Sequence, residues 1–328
     1  MVKAAKSIAI IGGSLWGNRG AAAMLETTIH KIREKVPEAE ISVFTPYPGK
    51  DQSLSIDPGL VFFDSRPLAL IGYFLAAVWG KLKAVFGLNA GLQGGTAALT
   101  GSDLLLDIGG ITFADGRLKF LPYNILTIWP SLIYQVPVVK LSQAAGSFRN
   151  PLLRVVAKYF LSRCEHIFAR GEKTLEYLRD LGIADDRVTL APDIAFCFQP
   201  AYCLTQENEL AVKQLCSKLD KLIDQRQKIL CISPSVLVSN KMRSNQDSYN
   251  ALMLEIIKKS DYKNQIYLFV PNATREGSSK TRNNDLQVIK GLRDQAELEL
   301  PARIYKQMVW VEYDLSSSGV ERLIQRRT

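Results

Sequence analysis

The sequence predicts an α/β protein with a parallel sheet in each of two domains. Three observations support this prediction. Short runs of Val, Ile and Leu alternate along the chain with helical patterns, as in parallel sheets covered by helices. The length of 328 residues is too great for one ordinary domain and suits two. A hydrophobic share of 47% and a charged share of 22% exclude a chain that is disordered along its length.

Six short apolar runs in the first 200 residues are predicted strands. They lie at 7–12, 41–44, 103–108, 136–142, 166–170 and 187–191. Helices are expected near 20–35, 68–87, 121–134, 151–163 and 171–181. Near-continuous apolar strands of this kind are buried on both faces, which indicates one parallel sheet between two layers of helices.

The second half repeats the alternation with fewer strands. Strands are predicted at 228–233, 265–270, 302–305 and 308–313, and helices near 206–225, 247–260, 284–294 and 316–326. We place a first Rossmann-like domain at residues 1–199 and a second at 200–328. Four strand candidates are few for such a domain, so we expect the second one to be incomplete.

The charge and the rare residue types narrow the classes of partner. The net charge of +9 is spread over both halves of the chain. A diffuse basic excess suits an anionic small substrate or a membrane surface better than a nucleic-acid groove, so we expect no nucleic-acid partner. Five cysteines without CxxC spacing and only two histidines disfavour a disulfide framework and a zinc site. We therefore expect a cytoplasmic protein with no metal.

The most apolar segment is 67–79, which carries no charge and ends before Lys81. It is short for a membrane span. We interpret the segment 67–88 as a core helix, and the alternative is a helix that contacts a membrane surface.

A glycine-rich loop, GGSLWGNRGAAAM at 12–24, follows the first predicted strand. A tight turn that opens a helix presents backbone N–H groups that can hold an anion. The candidate ligand residues in it are Gly17, Asn18, Arg19 and Gly20. The spacing is not GxGxxG, which disfavours a dinucleotide. The alternative is a turn that binds nothing.

A second glycine loop follows the strand at 103–108. Asp107 ends that strand, Gly109 and Gly110 turn the chain, and Asp115 and Arg117 follow. Open α/β sheets place active sites at the carboxyl ends of their strands. The two aspartates could bind sugar hydroxyls or move a proton, and the arginine could pair with a carboxylate or phosphate. An ordinary turn is the alternative.

Two further strand ends carry candidate residues. Gln143 precedes a glycine loop, Arg170 ends the next strand, and Asp193 follows the last strand of the first half. Arg170 could bind an anion, and the alternative is an Arg170–Asp193 ion pair that supports the sheet edge. Because loops 12–20, 107–117 and 142–149 follow strands of one parallel sheet, we expect them to converge on one cleft.

Five short motifs, taken in order, resemble the polysaccharide pyruvyl transferase family. They are GNRG at 17–20, DIGG at 107–110, LSQ at 141–143 with Gly146, ARG at 169–171 and APDIAF at 191–196. The resemblance implies two Rossmann-like domains of the GT-B type. It also implies transfer of pyruvate from phosphoenolpyruvate to a sugar hydroxyl as a ketal, in surface polysaccharide or exopolysaccharide synthesis.

The resemblance gives the candidate residues their roles. Arg19, Arg117 and Arg170 would bind the phosphate and carboxylate of phosphoenolpyruvate, while Asp107 and Asp115 would be catalytic. The remaining candidates would bind substrate: Gly17, Asn18, Gly20, Gly109, Gly110, Gln143 and Asp193. The resemblance implies no cofactor. The acceptor would be a sugar or a lipid-linked oligosaccharide, which allows peripheral contact with the inner membrane surface.

The chain departs from the family pattern in two places. Ala21 to Ala23 stand where many relatives have an acidic residue, and no histidine follows His166, whereas relatives carry a late Arg-x-His motif. We therefore expect a truncated chain that lacks pyruvyl transfer. Two alternatives stay open: a nucleotide-sugar glycosyltransferase of the same architecture, and a non-catalytic truncated product. The sequence leaves the oligomeric state open.

Overall fold

The computed structural model describes residues 6–206, 209–223, 228–242, 246–260, 265–275 and 283–325. Parts of the helix predicted at 206–225 and the last residue of the one predicted at 316–326 lie outside these ranges. The chain divides into two compact units. The first unit comprises Met1–Leu15 and Ala21–Phe198, and the second comprises Trp16–Gly20 and Gln199–Thr328.

The first unit is built on a parallel sheet that contains the six strands predicted for it. The strands are β1 Ser7–Ile11, β2 Glu40–Thr45, β3 Leu60–Asp64, β4 Leu104–Asp107, β5 Ile111–Ala114, β6 Val138–Gly146, β7 His166–Arg170 and β8 Val188–Ala191. Their order is β3-β2-β1-β4-β6-β7-β8, with β5 paired to the end of β6. The sequence analysis did not predict β3 and β5.

Eight helices of the first unit cover this sheet. They are α1 Arg19–Lys35, α2 Pro48–Leu54, α3 Pro67–Val85, α4 Gly94–Gly101, α5 Leu121–Leu126, α6 Trp129–Ile133, α7 Pro151–Leu161 and α8 Glu172–Leu181. The strand order requires α1 and α2 on one face and α3 to α8 on the other, because crossovers between parallel strands are right-handed. Leu70 of α3, Ile128 before α6 and Leu153 of α7 accordingly share one buried cluster.

The helix predicted at 121–134 is in fact two short helices, α5 and α6. Pro130 lies in the first turn of α6. Proline has no backbone N–H to continue a preceding helix, so the second helix starts anew at this point.

The interpretation of the segment at 67–88 as a core helix is wrong. It does form the helix α3, but the buried residues of α3 are Leu70, Ala77 and Gly80. Leu68 and Trp79 are exposed. The apolar composition of the segment indicates a helix, but it does not show how much of the helix surface will be buried against other elements. Within the described part of the chain, α3 alone has the length and hydropathy that a membrane span requires.

The second unit contains a smaller parallel sheet in the order β11-β10-β9. Its strands are β9 Lys228–Ile232, β10 Gln265–Phe269 and β11 Met308–Trp310. Its helices are α9 Glu209–Ile223, α10 Val236–Lys241, α11 Gln246–Lys259, α12 Leu286–Glu299, α13 Ala302–Tyr305 and α14 Ser317–Gln325. Every residue of the central strand β10 is buried.

Residues 302–305 form α13, so the strand predicted there is wrong. Pro301 precedes the turn, and its carbonyl oxygen accepts hydrogen bonds from the N–H groups of Ile304 and Tyr305. The letters Ala-Arg-Ile-Tyr alternate only over four positions, which is too short to distinguish a strand from one helical turn.

Candidate functional site

The candidate site lies at the carboxyl ends of strands β1 and β4 and along β5 in the first unit. A cavity of about 200 Å³ opens there. Its wall consists of Gly12, Gly109, Ile111, Thr112, Phe113, Ala114, Arg117, Phe120, Tyr123 and Asn124. A few polar groups set in a largely apolar wall are typical of small-molecule sites.

Two glycines bring the loops after β1 and β4 into backbone contact. A Cβ atom added to Gly12 would lie 2.5 Å from the amide nitrogen of Gly109 and 3.1 Å from Oδ1 of Asp107. Gly12 also has a φ of +95°, which side-chain-bearing residues rarely adopt. Glycine is therefore required at this position for the two loops to meet beside the cavity.

The buried side chain of Asp107, at the end of β4, connects this strand to β6. Its Oδ2 accepts a hydrogen bond from Nζ of Lys140 at 2.6 Å, and the two side chains are 3% and 0% exposed. Its Oδ1 accepts from Nε2 of Gln143 at 2.7 Å and from the N–H of Gly109 at 3.0 Å. Because protein donors occupy both carboxylate oxygens, this arrangement favours a role in positioning Gly109 over direct contact with a sugar.

Gln143 extends the same network to β5. Its Nε2 also donates to the backbone carbonyl of Asp107 at 2.7 Å, and its Oε1 accepts from Oγ1 of Thr112 at 2.6 Å. Of the three loops expected to converge, the structure therefore brings Gly12, Asp107 and Gln143 together, whereas Gly17 belongs to the second unit. Lys140 is a member that the sequence analysis missed, although a single charge inside the apolar run VPVVKLS could have indicated it.

Asp115 ties the end of β5 to the loop after β6. Its carboxylate accepts from Oγ of Ser147 at 2.8 Å, from the N–H of Arg149 at 2.8 Å and from the N–H of Asn150 at 3.2 Å. The bond from Arg149 is the main cause that lowers the pKa of Asp115 below its ordinary value of 3.8. The carboxyl group is thus ionised near neutral pH and has no proton to donate.

Arg170 and Asp193 form the ion pair that the sequence analysis kept as an alternative. Nη2 of Arg170 also donates to the carbonyl oxygen of Gly110 at 2.7 Å. The pair therefore fixes the DIGG loop from the neighbouring strand end. Oδ1 of Asp193 accepts from the N–H of Ala195 at 3.0 Å and caps the turn that follows β8.

Ser142 makes a second connection to the loop after β8. Its hydroxyl donates to the carbonyl oxygen of Pro192 at 2.6 Å and accepts from the N–H of Ile194 at 3.0 Å. Ser142 has a φ of 57°, at the point where the pairing of β6 with β7 shifts register. In a regular strand, Lys140 and Gln143 would point to opposite faces of the sheet. The irregularity lies between them, and both side chains reach Asp107.

Of the three candidate arginines, Arg117 is the one in the cavity wall. Its guanidinium lies 5.5 Å from the centre of the Phe120 ring, and its Nη1 lies 3.5 Å from the carbonyl oxygen of Ile111. The side chain is exposed. It can therefore turn toward a phosphate or carboxylate and bind it through two parallel N–H groups.

Gly17, Asn18, Arg19 and Gly20 belong to the second unit and are absent from the wall of this cavity. The N–H of Arg19 donates to the carbonyl oxygen of Asn272 at 2.9 Å, and its Nη2 lies 3.5 Å from Oδ2 of Asp314. Arg19 borders a separate apolar pocket of the second unit.

Tyr123 and Asn124 are cavity residues that the sequence analysis missed. Burial raises the pKa of the Tyr123 phenol above its ordinary value of 10.0, so the group stays neutral and can donate a hydrogen bond. The adjacent Asn124 is buried. A polar pair that follows the DIGGITFADGR motif after five residues was the available indication.

Comparison with solved structures shows the fold class. The chain aligns over 98% of its length with 76% of the UDP-GlcNAc 2-epimerase of Methanocaldococcus jannaschii, at 12% identity and a TM-score of 0.54. It aligns over 98% of its length with 72% of MnaA of S. aureus, solved with UDP, at 12% identity and a TM-score of 0.51. These similarities confirm an α/β fold of the GT-B type.

Comparison with sequences shows the family. No curated protein sequence matches the chain significantly. The sequence model of the polysaccharide pyruvyl transferase family, in contrast, matches residues 18–325, which is nearly the whole chain. The DIGG motif, which contributes to the cavity wall, and the motifs that support it, LSQ, ARG and APDIAF, all fall within the match. The chain therefore belongs to the polysaccharide pyruvyl transferase family.

Proposed function

We propose that this protein transfers pyruvate from phosphoenolpyruvate to a sugar as a ketal, in the synthesis of a surface polysaccharide. This proposal departs from the sequence-based expectation of a chain without pyruvyl transfer, because the family match covers nearly the whole chain. The observation that carries the proposal is the family match over residues 18–325. The cavity in the first unit supports the proposal, because it combines an exposed cationic group with glycine-lined backbone at the carboxyl edge of a parallel sheet.

The donor explains why a cation is needed in the cavity. Phosphoenolpyruvate carries a phosphate and a carboxylate, and a guanidinium binds either group through two hydrogen bonds. We assign this contact to Arg117. Gly12 and Gly109 form the backbone part of the wall beside it, where the loops after β1 and β4 are in contact.

The reaction begins with a proton added to the methylene carbon of phosphoenolpyruvate, which makes C2 electrophilic. One sugar hydroxyl adds to C2, and phosphate then leaves with the electrons of its C–O bond as a second hydroxyl takes its place. The two hydroxyl protons balance the proton on the new methyl group and the one carried by the phosphate. The products are a pyruvate ketal and inorganic phosphate.

Some residues around the cavity would contact the donor, and others would hold the loops of the cavity wall in place. We propose that Tyr123, as a neutral phenol, donates a hydrogen bond to the reacting donor. Asp107 acts as a positioning residue through Gly109, and Asp115 holds the loop after β6. Arg170 and Asp193 support the DIGG loop from outside the cavity wall.

Calorimetry with phosphoenolpyruvate tests the proposal without knowledge of the acceptor. Arg117→Gln should weaken donor binding about 10- to 100-fold, because a charge-assisted hydrogen bond contributes roughly 1.5–3 kcal/mol. The matched control is Lys119→Gln, which removes the same charge two positions away and outside the cavity wall. Equal losses in the two variants would remove Arg117 from the donor site.

Turnover is measured as phosphate released from phosphoenolpyruvate in the presence of candidate sugar acceptors. The expected product gains one pyruvate with loss of water. A wild-type chain that fails to bind phosphoenolpyruvate but transfers sugar from a nucleotide sugar would overturn the proposal in favour of a glycosyltransferase.

A further inference from the structure

Helix α3 carries an apolar stripe on its outer side. Leu68, Ile71, Leu75, Trp79 and Leu82 follow one another at intervals of three or four residues, and they are between 42% and 85% exposed. Side chains at this spacing lie on one face of a helix. An exposed apolar surface as continuous as this stripe marks an interaction site in most proteins.

The opposite side of α3 is held against the first unit. The hydroxyl of Tyr134 donates to the carbonyl oxygen of Ala77 at 3.2 Å, and the Phe74 and Trp129 rings lie 4.5 Å apart. A Cβ on Gly80 would lie 2.7 Å from the same Tyr134 hydroxyl oxygen. The helix is therefore packed lengthwise, with its stripe facing away from the unit.

The charges around the stripe are mostly basic. Arg66 at the start of α3 pairs with Asp64, but Lys81 and Lys83 follow, and no acidic residue occurs from position 65 to position 102. Nζ of Lys83 lies 5.8 Å from the centre of the Trp79 ring. Long basic side chains next to an aromatic ring suit the boundary between lipid tails and headgroups.

Basic residues also outnumber acidic residues in the elements that follow α3 along the chain. Residues 65–164 contain ten Lys and Arg and three Asp, so most of the net charge of +9 falls in this part of the chain. One of the three, Asp107, is buried with Lys140. The basic excess that looked diffuse in the sequence is thus concentrated in a segment that includes α3.

Helix α7 presents a second stripe of the same kind. Leu152, Val155 and Tyr159 are exposed, and the guanidinium of Arg163 lies 3.6 Å from the centre of the Tyr159 ring. The ring of Phe160 contacts Trp129, which also contacts Phe74 of α3. The two stripes therefore belong to one layer of helices.

We propose that α3, assisted by α7, docks the protein on an anionic lipid bilayer, with α3 lying in the plane of the interface. The apolar stripe would enter the headgroup region, and the lysines and arginines would meet anionic headgroups. A second copy of the chain fits this surface less well, because two faces of the same positive sign would repel each other.

Vesicle flotation of the full-length protein tests the proposal. Wild-type protein should float with vesicles of phosphatidylglycerol and phosphatidylcholine at low salt, and less with phosphatidylcholine alone or at high salt. The variant Leu75→Ser/Trp79→Ser should lower the bound fraction about tenfold, since it removes two exposed apolar side chains from the stripe. Lys81→Glu/Lys83→Glu should abolish the preference for anionic vesicles.

Two control variants test whether the loss of vesicle binding is specific to the stripe and its lysines. Leu298→Ser changes an exposed leucine of α12, and Lys213→Glu/Lys218→Glu changes two exposed lysines of α9. Both should bind vesicles as the wild type does, and circular dichroism checks that every variant is folded. Wild-type protein that stays unbound, or a stripe variant that floats like the wild type, would overturn the proposal. A dimer that the stripe variant dissociates, without vesicle binding, would assign the stripe to self-association.

Discussion

Asp107 at the carboxyl end of β4 and Lys140 near the start of the neighbouring strand β6 form an ion pair, with 2.6 Å between Oδ2 and Nζ and almost no exposure to water. The Lys140 ammonium also lies 5.1 Å from the centre of the buried Phe113 ring. This pair stands directly behind the loop that forms the cavity wall. Its geometry therefore fixes where Gly109 lies, because the N–H of Gly109 donates to Oδ1 of Asp107.

Lys140→Met should lower the free energy of unfolding by about 3–5 kcal/mol, because it leaves the Asp107 carboxylate buried without its counter-charge. Adding Asp107→Asn should recover part of the loss, since the two side chains interact directly. Urea unfolding measures both changes. Arg179→Gln, which breaks an exposed pair with Asp185, is the control and should leave the midpoint where it is. Similar losses in Lys140→Met and Arg179→Gln would contradict the prediction.

Gly12→Ala should destabilise the protein and weaken phosphoenolpyruvate binding together. The added methyl group would press on the backbone of Gly109, at a φ that disfavours alanine, so the two loops would have to separate. Thermal unfolding and calorimetry measure the two effects. Gly49→Ala is the matched control, since nothing lies within 4 Å of its Cβ position. A folded Gly12→Ala variant that binds the donor normally would show that the loop contact is dispensable.

Asp115→Asn should destabilise the protein at neutral pH and much less in acid. The pKa of Asp115 is lowered in the folded state, so its carboxylate stabilises the fold above the ordinary value of 3.8. That stabilisation is lost as the pH falls through the lowered pKa. The difference in unfolding free energy between wild type and variant should therefore shrink below about pH 4. Ser147→Ala, which removes one donor, should show a smaller version of the same trend, and a difference that is constant with pH would contradict this account.

Tyr123→Phe should slow acceptor-dependent phosphate release at least about tenfold while leaving the unfolding midpoint nearly unchanged, because it removes a hydrogen-bond donor but keeps the ring. The control is Tyr159→Phe, which removes the hydroxyl of an exposed tyrosine on α7. If the two variants retain the same rate, Tyr123 has no part in the reaction.

Six strands of the first unit could be predicted from their apolar runs. The sequence analysis missed β3, although its run LVFF is apolar, and it missed β5. β5 contains only Ile111–Ala114, lies between two glycines and an Asp-Gly turn, and pairs with the end of β6. In the sequence, a run of four residues between two turn signals is typical of a loop. Its existence depends on a partner strand far along the chain, since Ile111 pairs with Ala144, and no local pattern shows this pairing.

The candidate residues could be found because they stand where strands end, but their partners could not. Asp107, Asp115 and Arg170 were identified as groups that could contact a substrate. In the fold their polar atoms bind Lys140, the backbone of Arg149 and Asp193. A sequence shows which groups can form hydrogen bonds, and only the tertiary structure shows which of them remain available for a ligand.

The ties between Ser142 and the loop after β8, and between Arg170 and Asp193, have a consequence for the order of assembly during synthesis. The cavity wall is encoded within residues 12–124, yet Gly110 is held by Arg170, which itself pairs with Asp193. A ribosome that has released only the first five strands cannot yet complete this site. The wall gains its final support when Pro192–Ile194 emerge, so the site matures late among the parts of its own unit.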